Sequence, residues 1–134
     1  MAAAQIATRD PDMAQRHILV AEDNEVNFEL VRDLLEGGGH RVDWARDGVQ
    51  ALAALEADHF DLLLLDLNLP RLSGIDLLRR LRAEDVTREL RVIVLTADAM
   101  VGTREAVLTA GADNYLTKPF GLATFRRAVD DCLG

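Results

Sequence analysis

From His17 onward, the apolar positions alternate between short continuous runs and longer stretches at helical spacing. His17–Ala21 is a short apolar run and predicts a strand. Asn24 is placed to cap a helix that starts near Glu25, along which Val26, Leu30, Val31, Leu34 and Leu35 recur with helical period. Gly37-Gly38-Gly39 stops that helix. Arg41–Ala45 predicts a second strand with Val42 and Trp44 on one face, and Asp47 caps a helix carrying Val49, Leu52, Ala53 and Leu55. Residues 61–65 read as a third strand in which Leu62, Leu63, Leu64 and Leu65 leave no polar face. Such a strand is covered on both sides, as at the centre of a parallel sheet. Gly74–Ala83 then predicts a helix with Ile75, Leu77, Leu78 and Leu81, and residues 91–95 another apolar strand. A helix over 100–110 ended by Gly111, a strand over 114–116 and a last helix over Leu122–Leu133 complete the pattern.

Five strands and five helices in strict alternation, with short connections, predict an α/β fold: an open, doubly wound parallel sheet with helices on both faces. Residues 1–16 are polar and Ala-rich and include Pro11, which predicts a flexible N-terminal tail before a single domain over 17–134. With 49% hydrophobic but only 4% aromatic residues, the core must be aliphatic. A net charge of −8 argues against a nucleic-acid surface. No apolar run reaches membrane-spanning length, and residues 1–16 lack the apolar centre of a signal peptide. Cys132 has no second cysteine to pair with, so a reducing compartment is expected. The expectation is a cytoplasmic protein that binds neither nucleic acid nor membrane.

In open α/β sheets, ligands bind beyond the carboxyl ends of the strands. Glu22 and Asp23 follow the first predicted strand, Asp66 follows the third, Thr96 closes the fourth and Lys118 lies at the end of the fifth. Each has an ordinary explanation alone: Glu22 and Asp23 favour a helix N-terminus, Asp66 suits a turn, and Thr96 is a β-branched strand residue. Those explanations do not account for three carboxylates, a hydroxyl and an amine meeting on one rim. Lys118 is also the only lysine among fifteen basic residues. Its ammonium is a compact point charge, whereas arginine presents a wide planar fork. Chance survival in an arginine-rich chain explains one lysine, but not its position among these partners.

Two carboxylates about 4 Å apart repel by roughly 4 kcal/mol at an effective dielectric near 20. Three in one pocket require a cation or a raised pKa. Lys118 supplies one charge, and an all-oxygen set favours Mg²⁺. His17, His40 and His59 are scattered, which argues against a zinc site and for structural or solvated roles. Asp66 is the best nucleophile, since a carboxylate can attack phosphorus to form an aspartyl phosphate. Phosphoryl transfer needs mainly positioning and charge neutralisation. The Thr96 hydroxyl and the Ala97 backbone N–H would donate to the phosphoryl oxygens.

These residues resemble the receiver domains of two-component response regulators, over nearly the whole chain from His17 to Leu133. The motifs are Ile18-Leu19-Val20-Ala21-Glu22-Asp23-Asn24, then Asp66-Leu67-Asn68-Leu69-Pro70 with Gly74, then Leu95-Thr96-Ala97, then Lys118-Pro119-Phe120. The resemblance implies strand order 2-1-3-4-5, with Asp66 as phosphoacceptor. It also implies Asp23 as a direct Mg²⁺ ligand, Glu22 as an outer one through water, and the Asn68 carbonyl as a further ligand. Thr96 and Lys118 would bind the phosphoryl group, and Lys118-Pro119 would be a cis peptide. Tyr115 matches an aromatic that swings inward as Thr96 moves, although ordinary packing also accounts for a tyrosine there. Asn68 and Asp98 flank the site and would tune water access. Glu22 departs from the commoner aspartate at its position. The tract from Thr96 to Met100 and the opening from Asp23 to Asn27 look like stand-alone receivers of the DivK type, and equally like receivers fused to hybrid histidine kinases. The initiator methionine and the absence of a kinase or output domain favour the stand-alone form.

The expected function is that of a single-domain switch. A histidine kinase or histidine phosphotransfer protein would phosphorylate Asp66 with Mg²⁺ as cofactor. The face built from the fourth helix, fifth strand and fifth helix would then present a changed surface to a downstream protein target, in a monomer or weak homodimer. The alternative is a receiver-like module that binds its partner without phosphate, against which the complete acidic set argues. A haloacid-dehalogenase-like phosphatase would need a second carboxylate where Asn68 stands, and asparagine cannot serve as that general acid.

Overall fold

Successive side chains of a strand point to opposite faces, so a strand that is apolar throughout demands cover on both sides. The computed structural model, which describes residues 15–97 and 100–134, meets that demand at its centre. Apart from Gln15 and Arg16, the tail expected over 1–16 lies outside the described residues, and so does Asp98.

The elements run β1 (His17–Ala21), α1 (Glu25–Gly37), β2 (Arg41–Ala45), α2 (Gly48–Ala57), β3 (Leu62–Asp66), α3 (Gly74–Ala83), β4 (Arg91–Thr96), α4 (Val101–Ala110), β5 (Asn114–Thr117) and α5 (Leu122–Leu133). All pairings are parallel and the order is β2-β1-β3-β4-β5, as the resemblance implied. In β3, Leu63 and Leu65 face the layer of α2, α3 and α4, where they meet Ala51, Leu77 and Val107. Leu62 and Leu64 face α1 and α5, where they meet Val31 and Phe125. All four leucines are 0% exposed. No helix of the described residues is long and apolar enough to cross a membrane.

Three strand ends differ from expectation. β3 is Leu62–Asp66 rather than 61–65, β4 continues to Thr96, and β5 continues to Thr117. The apolar runs stop earlier, but backbone pairing does not depend on side-chain polarity: Asp66 pairs with Leu95, and Thr96 with Thr117. The expected α4 start at Met100 becomes the residue before the helix.

Helix faces also needed the third dimension. Along α1 the buried residues are Phe28, Val31 and Leu35, while Val26 and Leu30 are 73% and 58% exposed. Phe28 takes the inner face because Trp44 of β2 stacks on it, with ring centroids 4.2 Å apart. In α2, Ala51 and Leu55 point inward and Val49 outward. Both expected N-caps are present: Asn24 accepts from the Asn27 N–H, and Asp47 from the Gln50 N–H.

Candidate functional site

Parallel strands bring their carboxyl ends to one rim, and the polar residues there are delivered by backbone register. Ala21 is the last residue of β1, so Glu22 and Asp23 stand just outside the ladder. The Glu22 N–H still donates to the Ala45 carbonyl (3.0 Å), and the Glu22 carbonyl accepts from Trp44 Nε1–H (2.7 Å). Asp66 is the terminal residue of β3, and one of its oxygens, Oδ1, accepts from the Asn68 N–H at 2.9 Å. Lys118 follows β5, and its N–H donates to the Thr96 carbonyl at 2.6 Å. The Lys118-Pro119 peptide is cis.

The side chains meet as well. Lys118 Nζ donates to Glu22 Oε1 at 2.7 Å and to Asp66 Oδ2 at 3.0 Å. Glu22, Asp66 and Thr96 are buried at 4%, 8% and 1% exposure, whereas Asp23 and Asn68 are open to solvent. Carboxylate oxygens of Glu22, Asp23 and Asp66 lie within 4.8 Å of one another. Thr96 closes β4 beside Thr117 of β5, and Ala97 follows it, exposed. Tyr115 lies on β5 at 9% exposure and packs into the core with α2, α3 and α4. The structure therefore gathers Glu22, Asp23, Asp66 and Lys118 by direct contact or proximity, places Asn68, Thr96 and Ala97 in the adjoining segments, and sets Tyr115 into the layer beneath.

Burial raises the Glu22 carboxyl above its ordinary range; the Lys118 bond opposes this, and Asp66 adds to it. Burial works against the Lys118 ammonium, but its bonds to Glu22 and Asp66 outweigh that and hold its pKa above the ordinary lysine value. The cluster is short of positive charge, with one ammonium set against three carboxylates. Its donors are all oxygen and partly open through Asp23, a set that fits a hard divalent cation such as Mg²⁺.

A second group, His17, Asp43 and Asp58, gathers at the opposite end of the sheet. Both ring nitrogens of His17 are already engaged, Nε2 with Asp43 Oδ2 at 2.8 Å and Nδ1 with the His59 carbonyl at 3.0 Å. Its ring also lies 4.1 Å from that of Phe60, a structural setting.

Two contributors were not visible as site residues in the sequence. Trp44 reaches the Glu22 carbonyl from the neighbouring strand. Gly48 abuts the loop after β3, where a Cβ would lie 2.4 Å from the Leu72 carbonyl oxygen. A lone tryptophan on an edge strand and a glycine at a helix start were the only signals, and both have ordinary readings.

The response regulator receiver domain model matches residues 18–130. The polar-differentiation response regulator DivK of Brucella ovis is 34% identical over 119 residues, covering 89% of this chain and 97% of that protein. The receiver domain of sensor histidine kinase PA1611 from Pseudomonas aeruginosa PAO1, solved with a magnesium ion coordinated in its active site cleft, superposes with a TM-score of 0.83. It is 39% identical, over 90% of this chain and 99% of that one. The phosphorylated cyanobacterial phytochrome response regulator RcpA superposes with a TM-score of 0.77 at 28% identity, over 88% of this chain and 91% of that one. A sheet in this order, an acidic rim closed by a lysine, and a family match across the whole sheet lead to one conclusion: the chain belongs to the response regulator receiver domains of two-component signalling.

Proposed function

We propose that this receiver accepts a phosphoryl group on Asp66 from a phosphohistidine of a histidine kinase or histidine phosphotransfer protein. The observation that carries the reading is the setting of Asp66: a buried carboxylate at the end of a central strand, 3.0 Å from Lys118 and grouped with Glu22 and Asp23. In the transfer, an Asp66 oxygen attacks phosphorus as the N–P bond of the donor breaks. The histidine nitrogen leaves with the bonding pair, and Asp66 becomes an aspartyl phosphate. Lys118 would neutralise charge on the phosphoryl oxygens, and the Thr96 hydroxyl and Ala97 N–H would donate to them. Glu22, Asp23, Asp66 and the Asn68 carbonyl would hold Mg²⁺. When bound, the ion supplies the positive charge that lets the dianionic phosphoryl group approach three carboxylates. The magnesium ion in the Pseudomonas relative supports this assignment.

Phosphorylation converts the Asp66 carboxylate that Lys118 contacts to an aspartyl phosphate, and so alters the link between the segment after β5 and the end of β3. We assign the output to the face of α4, β5 and α5, with Thr96 and Tyr115 as its internal connection and a downstream protein as its reader. The functional unit in this reading is 17–134.

Intact-mass spectrometry after incubation with acetyl phosphate tests the assignment. The expected result is one phosphoryl adduct on the wild type that requires Mg²⁺ and is absent in Asp66→Asn. Labelling of Asp66→Asn would move the acceptor elsewhere. Failure of the wild type to take up either phosphoryl or beryllofluoride would leave a module that binds partners without phosphate.

A further inference from the structure

We propose that Trp44 is a positioning residue for the acidic pair, fixing Glu22 and Asp23 through a hydrogen bond to the Glu22 carbonyl. The inference rests on the reading above that this pair holds Mg²⁺.

The segment of Glu22, Asp23 and Asn24 joins the end of β1 to the start of α1. Beyond Ala21, which pairs with Ala45, the β1–β2 ladder has ended, and a buried backbone carbonyl there needs another donor. Trp44 supplies it: Nε1–H donates to the Glu22 carbonyl at 2.7 Å. The indole N–H is donor only, so this bond depends on ring orientation alone.

The plane of the ring is set by flat contacts. The Phe28 ring stacks on Trp44 with centroids 4.2 Å apart and planes 3° from parallel. The Arg46 guanidinium lies 4.1 Å from the Trp44 centroid, too near for it to share the face that Phe28 covers. Arg32 continues the stack, 5.7 Å from the Phe28 centroid. An aromatic on one face and a cation on the other fix the plane of the ring, and the bond from Nε1–H to the Glu22 carbonyl selects its orientation within that plane.

The acidic segment is thus bound to Trp44 at both ends. Its start is tied by the hydrogen bond, and its far side by Phe28, which sits in the first turns of α1 and donates its own N–H to the Asn24 carbonyl at 3.0 Å. The register matters more here because Glu22 carries one methylene more than aspartate. A small backbone rotation at Glu22 therefore moves its carboxylate a long way relative to Lys118 and Asp66.

The test compares wild type, Trp44→Phe and Arg46→Ala. Trp44→Phe keeps an aromatic ring for Phe28 but removes the N–H, while Arg46→Ala removes only the cation cover. Divalent-ion affinity is read directly, by calorimetry with Mg²⁺ and by electron paramagnetic resonance with Mn²⁺. The rate of labelling by acetyl phosphate is read separately across Mg²⁺ concentrations. The expected outcome for Trp44→Phe is a roughly tenfold weaker ion affinity, with the labelling rate at saturating Mg²⁺ within about twofold of wild type. Arg46→Ala keeps both the N–H and the Phe28 stack, and is expected to weaken ion affinity less than Trp44→Phe does, by about two- to threefold, with the labelling rate at saturating Mg²⁺ unchanged. A Trp44→Phe protein that loses thermal stability but binds the ion like wild type would overturn the proposal and leave Trp44 a packing residue. Absence of ion binding by the wild type would instead overturn the metal reading, and this proposal with it.

Discussion

Lys118 Nζ and Glu22 Oε1 lie 2.7 Å apart although 96 residues separate them, and although β1 and β5 are not neighbours in the sheet. Two strands, β3 and β4, stand between their parent strands. The contact therefore closes the rim over Asp66, which Lys118 also reaches at 3.0 Å. A cation entering beside Glu22 therefore competes with the lysine for the Glu22 carboxylate.

Lys118→Arg tests whether shape or only charge matters there. The ammonium fits between two carboxylates at 2.7 Å and 3.0 Å, and a planar fork does not. Labelling by acetyl phosphate, followed by intact mass, should slow roughly tenfold to a hundredfold. Ion binding should persist. A variant as fast as wild type would show that any cation suffices.

Ion binding should be visible as stability. With Mg²⁺ at about 100 times its dissociation constant, the folded state gains about 2.7 kcal/mol, read as a higher urea midpoint that chelation reverses. Asp23→Ala should lose that gain, because Asp23 is the exposed member of the acidic group. An unchanged midpoint in the wild type would count against the acidic group as an ion site.

Glu22 should give the metal-free protein an acid-side pH dependence. Burial, aided by Asp66 and opposed by Lys118, raises its carboxyl above 4.5 in the folded state. The folded protein then binds that proton more tightly than the unfolded chain does. Stability from this group therefore falls as pH rises from about 4.5 through the raised value. Lys118 has the same sign in a much higher range: its raised pKa contributes stability that is complete below 10.5 and is lost only as pH rises through the raised value. Urea unfolding in chelator between pH 4 and 7 should show a decline that Glu22→Gln removes. An identical slope in the variant would assign the decline to another group.

Gly48→Ala should disturb the loop that carries Asn68. Its Cβ would lie 2.4 Å from the Leu72 carbonyl oxygen and 2.6 Å from the Leu72 Cβ, and backbone cannot yield as a flexible side chain would. A loss of about 1–3 kcal/mol in chemical denaturation is expected. Gly37→Ala is the control: a Cβ there meets nothing within 4 Å, and helix propensity favours it by up to about 1 kcal/mol. Equal effects at the two positions would show that the Leu72 contact does not matter.

The all-apolar run of Leu62 to Leu65 announced a doubly covered central strand, because a strand has two faces and neither was polar. Asn24 and Asp47 announced helix starts, because their side chains can satisfy only nearby N–H groups. Asp66, Thr96 and Lys118 were legible as rim residues because parallel strands all end on one side. Strand order was not legible in periodicity; it came with the resemblance, since alternation leaves the sequence of neighbours open. Nor could periodicity choose between Val26 and Phe28 for the inner face of α1, because that choice depends on Trp44 of another strand. The 2.7 Å bond from Trp44 to Glu22, the approach of Gly48 to Leu72 and the reach of Lys118 to Glu22 lay beyond the sequence for the same reason. Local pattern encodes what a segment does to itself; contacts between distant segments exist only once the sheet has set their distances.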